Sequence, residues 1–153
     1  MCSMLTFQMV VLLLVSRFYR HSILILQRAV REWNNHKKLN FSVNFGDIVD
    51  GHCPKEESVN AVQKVMNEFE KFNGSVYHMI GNHCLYNLPR SALITLLKMP
   101  GRAYYDFSPT PSYKFIVLDA YDVSAIGWPQ DHPLTTEAMN ILRDKNPNTE
   151  KQS

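Results

Sequence analysis

This chain lacks both a large excess of charge of one sign and a regular cysteine pattern. Its 153 residues hold 16 Lys and Arg against 14 Asp and Glu. A nucleic-acid-binding surface needs an excess of positive charge, so nucleic acid is not an expected partner. The cysteines are Cys2, Cys53 and Cys84, an odd number without metal-binding spacing. They favour a reducing, cytoplasmic setting over a disulfide framework.

A long hydrophobic run is also missing. The most apolar stretch is residues 9–15 (MVVLLLV), within a looser run that begins at Leu5. A membrane helix needs about 20 apolar residues, so we expect no stable membrane span. The stretch has no positively charged segment before it and no small-residue cleavage site before Arg17. We expect a buried parallel strand here, with a secretory signal or anchor as the alternative.

The remaining composition predicts one globular domain of the α/β class. Hydrophobic residues make up 45% and charged residues 20% of the chain, which is typical of a folded domain with a core. Helical periodicity covers residues 22–34, 54–72 and 136–143, and strand-like runs cover 41–45, 76–80 and 114–118. The second helix is expected to bury Val59, Val62, Met66 and Phe69. This alternation predicts a mostly parallel sheet with helical crossovers. The intervening segment, residues 88–111, includes Pro100, Pro109 and Pro111 and is expected to be a loop with a helical turn near 92–97.

Polar motifs follow two of the predicted strands directly. Residues 46–51 (GDIVDG) come after the first, and residues 81–83 (GNH) come after the next. The carboxyl ends of neighbouring parallel strands meet at one rim of a sheet, so we expect Asp47, Asp50, Asn82 and His83 to lie close together. Carboxylate and amide oxygens suit a hard or borderline divalent metal, and an imidazole can transfer protons. This combination indicates a metal-dependent phosphoester or diphosphate hydrolase.

Each motif has a simpler interpretation when it is considered alone. A Gly-Asp pair after a strand is also typical of a turn or of a helix N-cap. A single histidine is more often structural than catalytic. The two motifs occur together on consecutive strands, and this joint occurrence favours a functional site.

Together, the GDxxD and GNH motifs resemble those of the calcineurin-like metallophosphoesterases. Several flanking strings are similar to the vertebrate manganese-dependent ADP-ribose/CDP-alcohol diphosphatases. These strings are residues 18–22 (FYRHS), 32–35 (EWNN), 118–122 (LDAYD), 141–143 (ILR) and 146–150 (NPNTE). The resemblance extends from about residue 18 to residue 150, with a divergent stretch between 87 and 105. It implies an α/β/β/α sandwich, of which this chain would be the N-terminal half.

The resemblance also implies a role for each candidate residue. Asp47 would bridge two Mn²⁺ ions, and Asn82 would bind the second ion through its side-chain oxygen. His83 would protonate the leaving group or stabilise the transferring phosphoryl group. Asp50 would hold His83 in the correct tautomer and orientation. No substrate-binding residue is identified.

Parts of the family pattern are not found in these residues. The family's first strand ends in an acidic ligand, whereas residues 15–17 here are Val-Ser-Arg. A later histidine ligand and a Gly-His-x-His motif also have no counterpart. We therefore expect residues 1–153 to form a single, incomplete domain, with a divergent apolar segment at 1–17 and a polar tail at 144–153.

The implied activity is hydrolysis of small nucleoside diphosphate derivatives, such as ADP-ribose and CDP-choline, to monophosphates. Because the ligand set is incomplete, we expect this truncated chain by itself to be inactive. The alternative is a non-catalytic fragment that serves as an interaction or decoy module.

Overall fold

The computed structural model describes residues 19–147, with side chains from residue 21 onward. The predicted apolar strand and the divergent segment 1–17 lie outside the described residues, as does most of the polar tail. The elements are α1 (Tyr19–Asn35), β1 (Phe41–Asn44), α2 (Lys55–Phe69), β2 (Ser75–His78), α3 (Asn82–Asn87), α4 (Arg90–Leu96), β3 (Tyr105–Thr110), β4 (Tyr113–Val117) and α5 (Pro133–Lys145). None of the helices in this part of the chain is long and apolar enough to cross a membrane.

Strands β1 and β2 form the expected parallel pair. Phe41 lies opposite Ser75, and Asn44 lies opposite His78. The connection between them is α2, whose buried residues include Val62, as its periodicity predicts. This crossover brings the carboxyl ends of both strands, and the motifs that follow them, to the same edge.

The prediction is wrong for one position on the buried face of α2. Val59 was expected to be buried, but it is 45% exposed, and the neighbouring Ser58 is fully buried instead. The Ser58 hydroxyl donates to the Pro54 carbonyl at 2.9 Å. Because this bond satisfies the hydroxyl within the first turn, a polar side chain can occupy the core there.

The second pair of strands corrects the expectation of a mostly parallel sheet. Strands β3 and β4 are antiparallel and form a separate two-stranded sheet. The segment predicted to be mainly loop therefore contains β3, including Pro109, as well as α4. The register shifts between Phe107 and Thr110, next to this proline. A bulge tolerates proline because the ladder is already interrupted there. The domain remains a mixed α/β fold.

Aromatic rings join the hairpin to the parallel pair. The Phe107 ring of β3 stacks on Tyr77 of β2, with 3.4 Å between ring centroids. It also stacks on Phe115 of β4 at 5.1 Å. These contacts hold the two small sheets together, since rings of this size bury a large apolar area.

The main core lies directly beneath the two motifs. It includes Val49 from the first motif, Ile80 from the end of the second apolar run, and Cys84 and Leu85 from α3. Cys84 is fully buried and serves as a small core side chain. A second cluster fills the space between α1 and α2, around Trp33. The motif loops are therefore anchored by their own apolar residues.

Candidate metal centre

Two glycines bring the motif loops into backbone contact. Gly46 has a φ of +92° and the following Asp47 a φ of +50°. A Cβ atom on Gly46 would lie 2.4 Å from the Gly81 nitrogen, and one on Gly81 would lie 2.1 Å from Asp47 Oδ1. Neither contact leaves space for a side chain. The glycines are thus required by the close approach of the two loops, and at Gly46 also by the left-handed backbone.

The Asp47 carboxylate bridges the two loops. Its Oδ1 atom accepts a hydrogen bond from the His83 backbone N–H at 3.0 Å. His83 is the second residue of α3, directly after Asn82. The structure therefore brings Asp47, Asn82 and His83 together at one edge of the parallel pair. Their roles as metal ligands and acid remain predictions.

The His83 ring is held mainly by the backbone of the first motif. The Gly51 N–H donates to His83 Nδ1 at 3.1 Å. A neutral imidazole that accepts at Nδ1 carries its proton on Nε2. Asp50 Oδ2 lies 3.7 Å from the same nitrogen, too far for a hydrogen bond, while Asp50 Oδ1 accepts from the His52 N–H at 2.8 Å. Asp50 therefore shapes the turn that presents Gly51, in addition to placing its charge near the ring.

Asn87 joins the two motifs, and the sequence reasoning did not identify it. It is 9% exposed, and its Nδ2 donates to the Asp50 carbonyl at 2.7 Å and to the His83 carbonyl at 3.0 Å. The side chain thus fixes the separation between the first motif and α3. Its position four residues after His83, on the same helical face, is the signal that could have identified it.

Two tyrosines also lie at the site and were not predicted. The Tyr86 hydroxyl accepts from Asn82 Nδ2 at 3.2 Å. Burial raises the pKa of the Tyr121 phenol, and the negative charge of Asp47 raises it further, while a hydrogen bond with the Asn82 backbone lowers it. Tyr86 shares a helical face with Asn82, but no sequence pattern indicates Tyr121. Only the folding of the segment after β4 brings Tyr121 there.

A buried ion pair holds the segment that carries Tyr121. Arg90, at the start of α4, pairs with Asp119, and their side chains are 7% and 2% exposed. Arg90 also donates to the Tyr121 carbonyl and lies over the Trp128 ring, 4.7 Å from its centroid. This network ties the chain after β4 to the helices that follow the second motif.

The donor atoms fit a divalent metal in type but not in number. Asp47 and Asn82 offer the carboxylate and amide oxygens that Mn²⁺ accepts. However, residues 19–147 contain no group of three or more His, Cys, Asp or Glu side chains that could hold a metal ion. Hard divalent cations take about six donors. The described residues therefore provide only part of a ligand set.

Comparison with known proteins supports the interpretation of this region as part of a metal centre. No protein-family profile matches the chain. Manganese-dependent ADP-ribose/CDP-alcohol diphosphatases from Oryza sativa and Arabidopsis thaliana are each 66% identical to it over 142 residues. These matches cover 91% of this chain but only 44% and 46% of the relatives. The human protein of the same name is 39% identical over 156 residues, covering 90% of this chain and 46% of its own length. The chain is thus similar to both plant and vertebrate proteins of this name, with a higher identity to these plant proteins than to the human one.

A solved structure agrees with these matches. A dimetal phosphatase from Danio rerio superposes with a TM-score of 0.74 at 35% identity, covering 84% of this chain and 44% of that one. The chain is therefore similar in sequence and fold to calcineurin-like metallophosphoesterases. The matched proteins include the manganese-dependent ADP-ribose/CDP-alcohol diphosphatases, and the chain spans about half the length of these relatives.

Proposed function

We propose that this chain supplies one side of a two-manganese site that hydrolyses ADP-ribose, CDP-choline and similar nucleoside diphosphate derivatives to monophosphates. The observation that carries the proposal is the hydrogen bond from the His83 backbone to Asp47 Oδ1 at 3.0 Å. It places a carboxylate, the amide of Asn82 and an imidazole at one edge of the sheet. The names of the relatives support the substrate class.

In this proposal, Asp47 and Asn82 bind the metal through their side-chain oxygens. The bound ions would activate a water and neutralise charge on the phosphoryl oxygens. His83 holds a proton on Nε2, because Nδ1 accepts from Gly51. The ring is 40% exposed, so the Nε2–H group can donate a hydrogen bond to a phosphoryl or leaving-group oxygen. Complete transfer of a proton to the leaving group would start from the doubly protonated ring and leave it neutral. The Asp50 carboxylate stabilises the ring when it is doubly protonated.

We also propose that the chain by itself is inactive or nearly so, and that it works in the cytoplasm. Inactivity follows from the ligand count, since two oxygen donors and water hold a divalent ion weakly. A reducing compartment agrees with the free thiols of Cys53 and Cys84.

A non-catalytic interaction module is the second candidate, and one surface favours it. Ile116 and Leu118, on alternate positions along and just after β4, are 70% and 73% exposed. Within the described residues, β4 pairs with β3 alone. An apolar edge of this kind can pair with another polypeptide.

Two activity measurements test the proposal. The first incubates the 153-residue chain with Mn²⁺ and ADP-ribose and measures AMP release, with the intact Oryza sativa relative as the reference. We expect no turnover above the metal-only blank. Turnover approaching that of the relative would show that the catalytic ligands are misplaced.

The second measurement uses a chimera in which residues 19–147 replace the matching segment of the Oryza sativa relative. We expect it to be active. His83→Ala in the chimera should lower kcat by about 10²–10⁴-fold, the usual contribution of a general acid, with a smaller effect on Mn²⁺ affinity. Asp47→Ala should instead lose bound Mn²⁺. Unchanged kcat in His83→Ala across the pH range would contradict the role of His83.

A further inference from the structure

The Asn82 side chain has two chemically different ends. Its carboxamide oxygen can bind a cation, whereas its NH₂ group can only donate hydrogen bonds. Rotation of the carboxamide by half a turn exchanges the two ends in nearly the same space. A role for Asn82 in metal binding therefore requires something that selects one orientation.

The structure contains a contact that distinguishes the two orientations. In the opposite orientation, the Tyr86 hydroxyl would donate to the carboxamide oxygen and compete with the cation for it. Asn82 Nδ2 donates to the Tyr86 hydroxyl oxygen at 3.2 Å. The two residues are one turn apart on α3, so their side chains lie on the same face. While the NH₂ group is bound to Tyr86, the carboxamide oxygen is directed away from it.

The Tyr86 ring is itself held in place by the first motif. A Cβ atom on Gly51 would lie 3.0 Å from Tyr86 Cδ2, so the ring packs against the glycine backbone. Its centroid is also 5.7 Å from that of the His83 ring. Because both neighbours belong to the motifs, the Tyr86 hydroxyl is in a defined position relative to Asn82.

We propose that Tyr86 is a positioning residue that fixes the Asn82 carboxamide with its oxygen available to a bound divalent cation. This inference rests on the proposed function, because it assigns a purpose to the orientation of a metal ligand. Tyr86 does not bind the metal and acts only through Asn82. Its hydroxyl, rather than its ring, carries the role.

Tyr86→Phe tests this directly, since it removes the hydroxyl and keeps the ring. Mn²⁺ affinity is measured by electron paramagnetic resonance of the free ion titrated into the 153-residue chain. We expect Tyr86→Phe to weaken binding by roughly 2- to 12-fold, the value of one net hydrogen bond. Tyr113→Phe is the matched control, because Tyr113 is 52% exposed and lies on β4, outside both motifs.

The Asn82→Asp background separates orientation from general structural damage. A carboxylate has two equivalent oxygens, so either orientation can face the cation. In this background, we expect Tyr86→Phe to change Mn²⁺ affinity by less than about 2-fold. An equal loss in both backgrounds would show that Tyr86 acts through folding and would overturn the proposal.

A metal-free measurement distinguishes this inference from the proposed function. The Asn82 NH₂ resonances in the ¹⁵N spectrum should move, and their exchange with water should become faster, in Tyr86→Phe but not in Tyr113→Phe. Unchanged resonances in Tyr86→Phe overturn the inference. If the wild-type chain binds Mn²⁺ no better than Asp47→Ala, the proposed function fails. If the wild type binds and Tyr86→Phe binds equally well, this inference alone fails.

Discussion

Replacing Asn87 with leucine should separate the two motifs without leaving a large cavity. The two side chains have the same branching and the same number of heavy atoms, but leucine is bulkier and cannot donate hydrogen bonds. Asn87→Leu therefore removes the donor to the Asp50 and His83 carbonyls, at 2.7 and 3.0 Å. The perturbation is confined to the contact that holds the first motif against α3.

The expected magnitude follows from the partners that remain. A buried acceptor that loses its only donor costs about 1–3 kcal/mol. The Asp50 carbonyl keeps a second donor, the Cys53 N–H at 3.0 Å. The loss of each of the two hydrogen bonds should therefore lower the free energy of unfolding by an amount near the lower limit of this range. The total for both bonds is about 2 kcal/mol. Because the Gly51 N–H is in the released segment, the His83 ring should also lose its Nδ1 donor.

Urea unfolding of the 153-residue chain measures this cost. Asn67→Leu is the matched control, since Asn67 is an exposed helical asparagine that accepts only from Gln63 among the bonds described. Such a surface change should stay within about 0.5 kcal/mol. In the active chimera, Asn87→Leu should also lower kcat more than Asn67→Leu does. Equal stability of the two variants would refute the assigned role of Asn87.

Three further predictions concern groups around the site. Burial lowers the pKa of His78 to about 4, so the folded protein favours the neutral ring. The free energy of unfolding should therefore fall by roughly 3 kcal/mol as the pH drops from 6.5 to 4. His78→Gln should flatten this dependence in urea titrations at several pH values. Gly81→Ala should displace Asp47 and weaken Mn²⁺ binding at least 10-fold in the chimera, because its Cβ would overlap the carboxylate. Arg90→Met should cost about 3–5 kcal/mol in thermal or urea unfolding, since it leaves Asp119 buried and unpaired.

Each of these three substitutions has a control substitution at the surface of the same chain. His36→Gln, at an exposed position, is the control for His78→Gln. Gly101→Ala meets nothing within 4 Å of the new Cβ despite a φ of +76°, so it tests backbone strain without overlap. Arg143→Met removes an arginine whose side chain is 74% exposed. A loss in any control as large as in its partner would contradict the corresponding explanation.

The sequence by itself determined the parallel pair and the residues placed at its edge. Alternation in residues 41–45 and the apolar run at 76–80 are local patterns, and an intervening amphipathic helix of this length favours a parallel crossover. The proximity of Asp47 and His83 then follows, because the geometry of a parallel sheet places the carboxyl ends of neighbouring strands together. The family resemblance was also visible at this level, because two short motifs and their flanking strings indicated it.

Only the tertiary structure decided how these residues are held. The hydrogen bond from the His83 backbone to Asp47 and the bond from Asn87 to the Asp50 carbonyl both depend on the approach of the loops. Strand β3 was missed because Pro109 argues locally against a strand, and its tolerance depends on a register shift in the pairing with β4. Periodicity reports which face of an element is apolar. The partner atoms that a polar side chain meets across the fold are fixed only when the chain is folded.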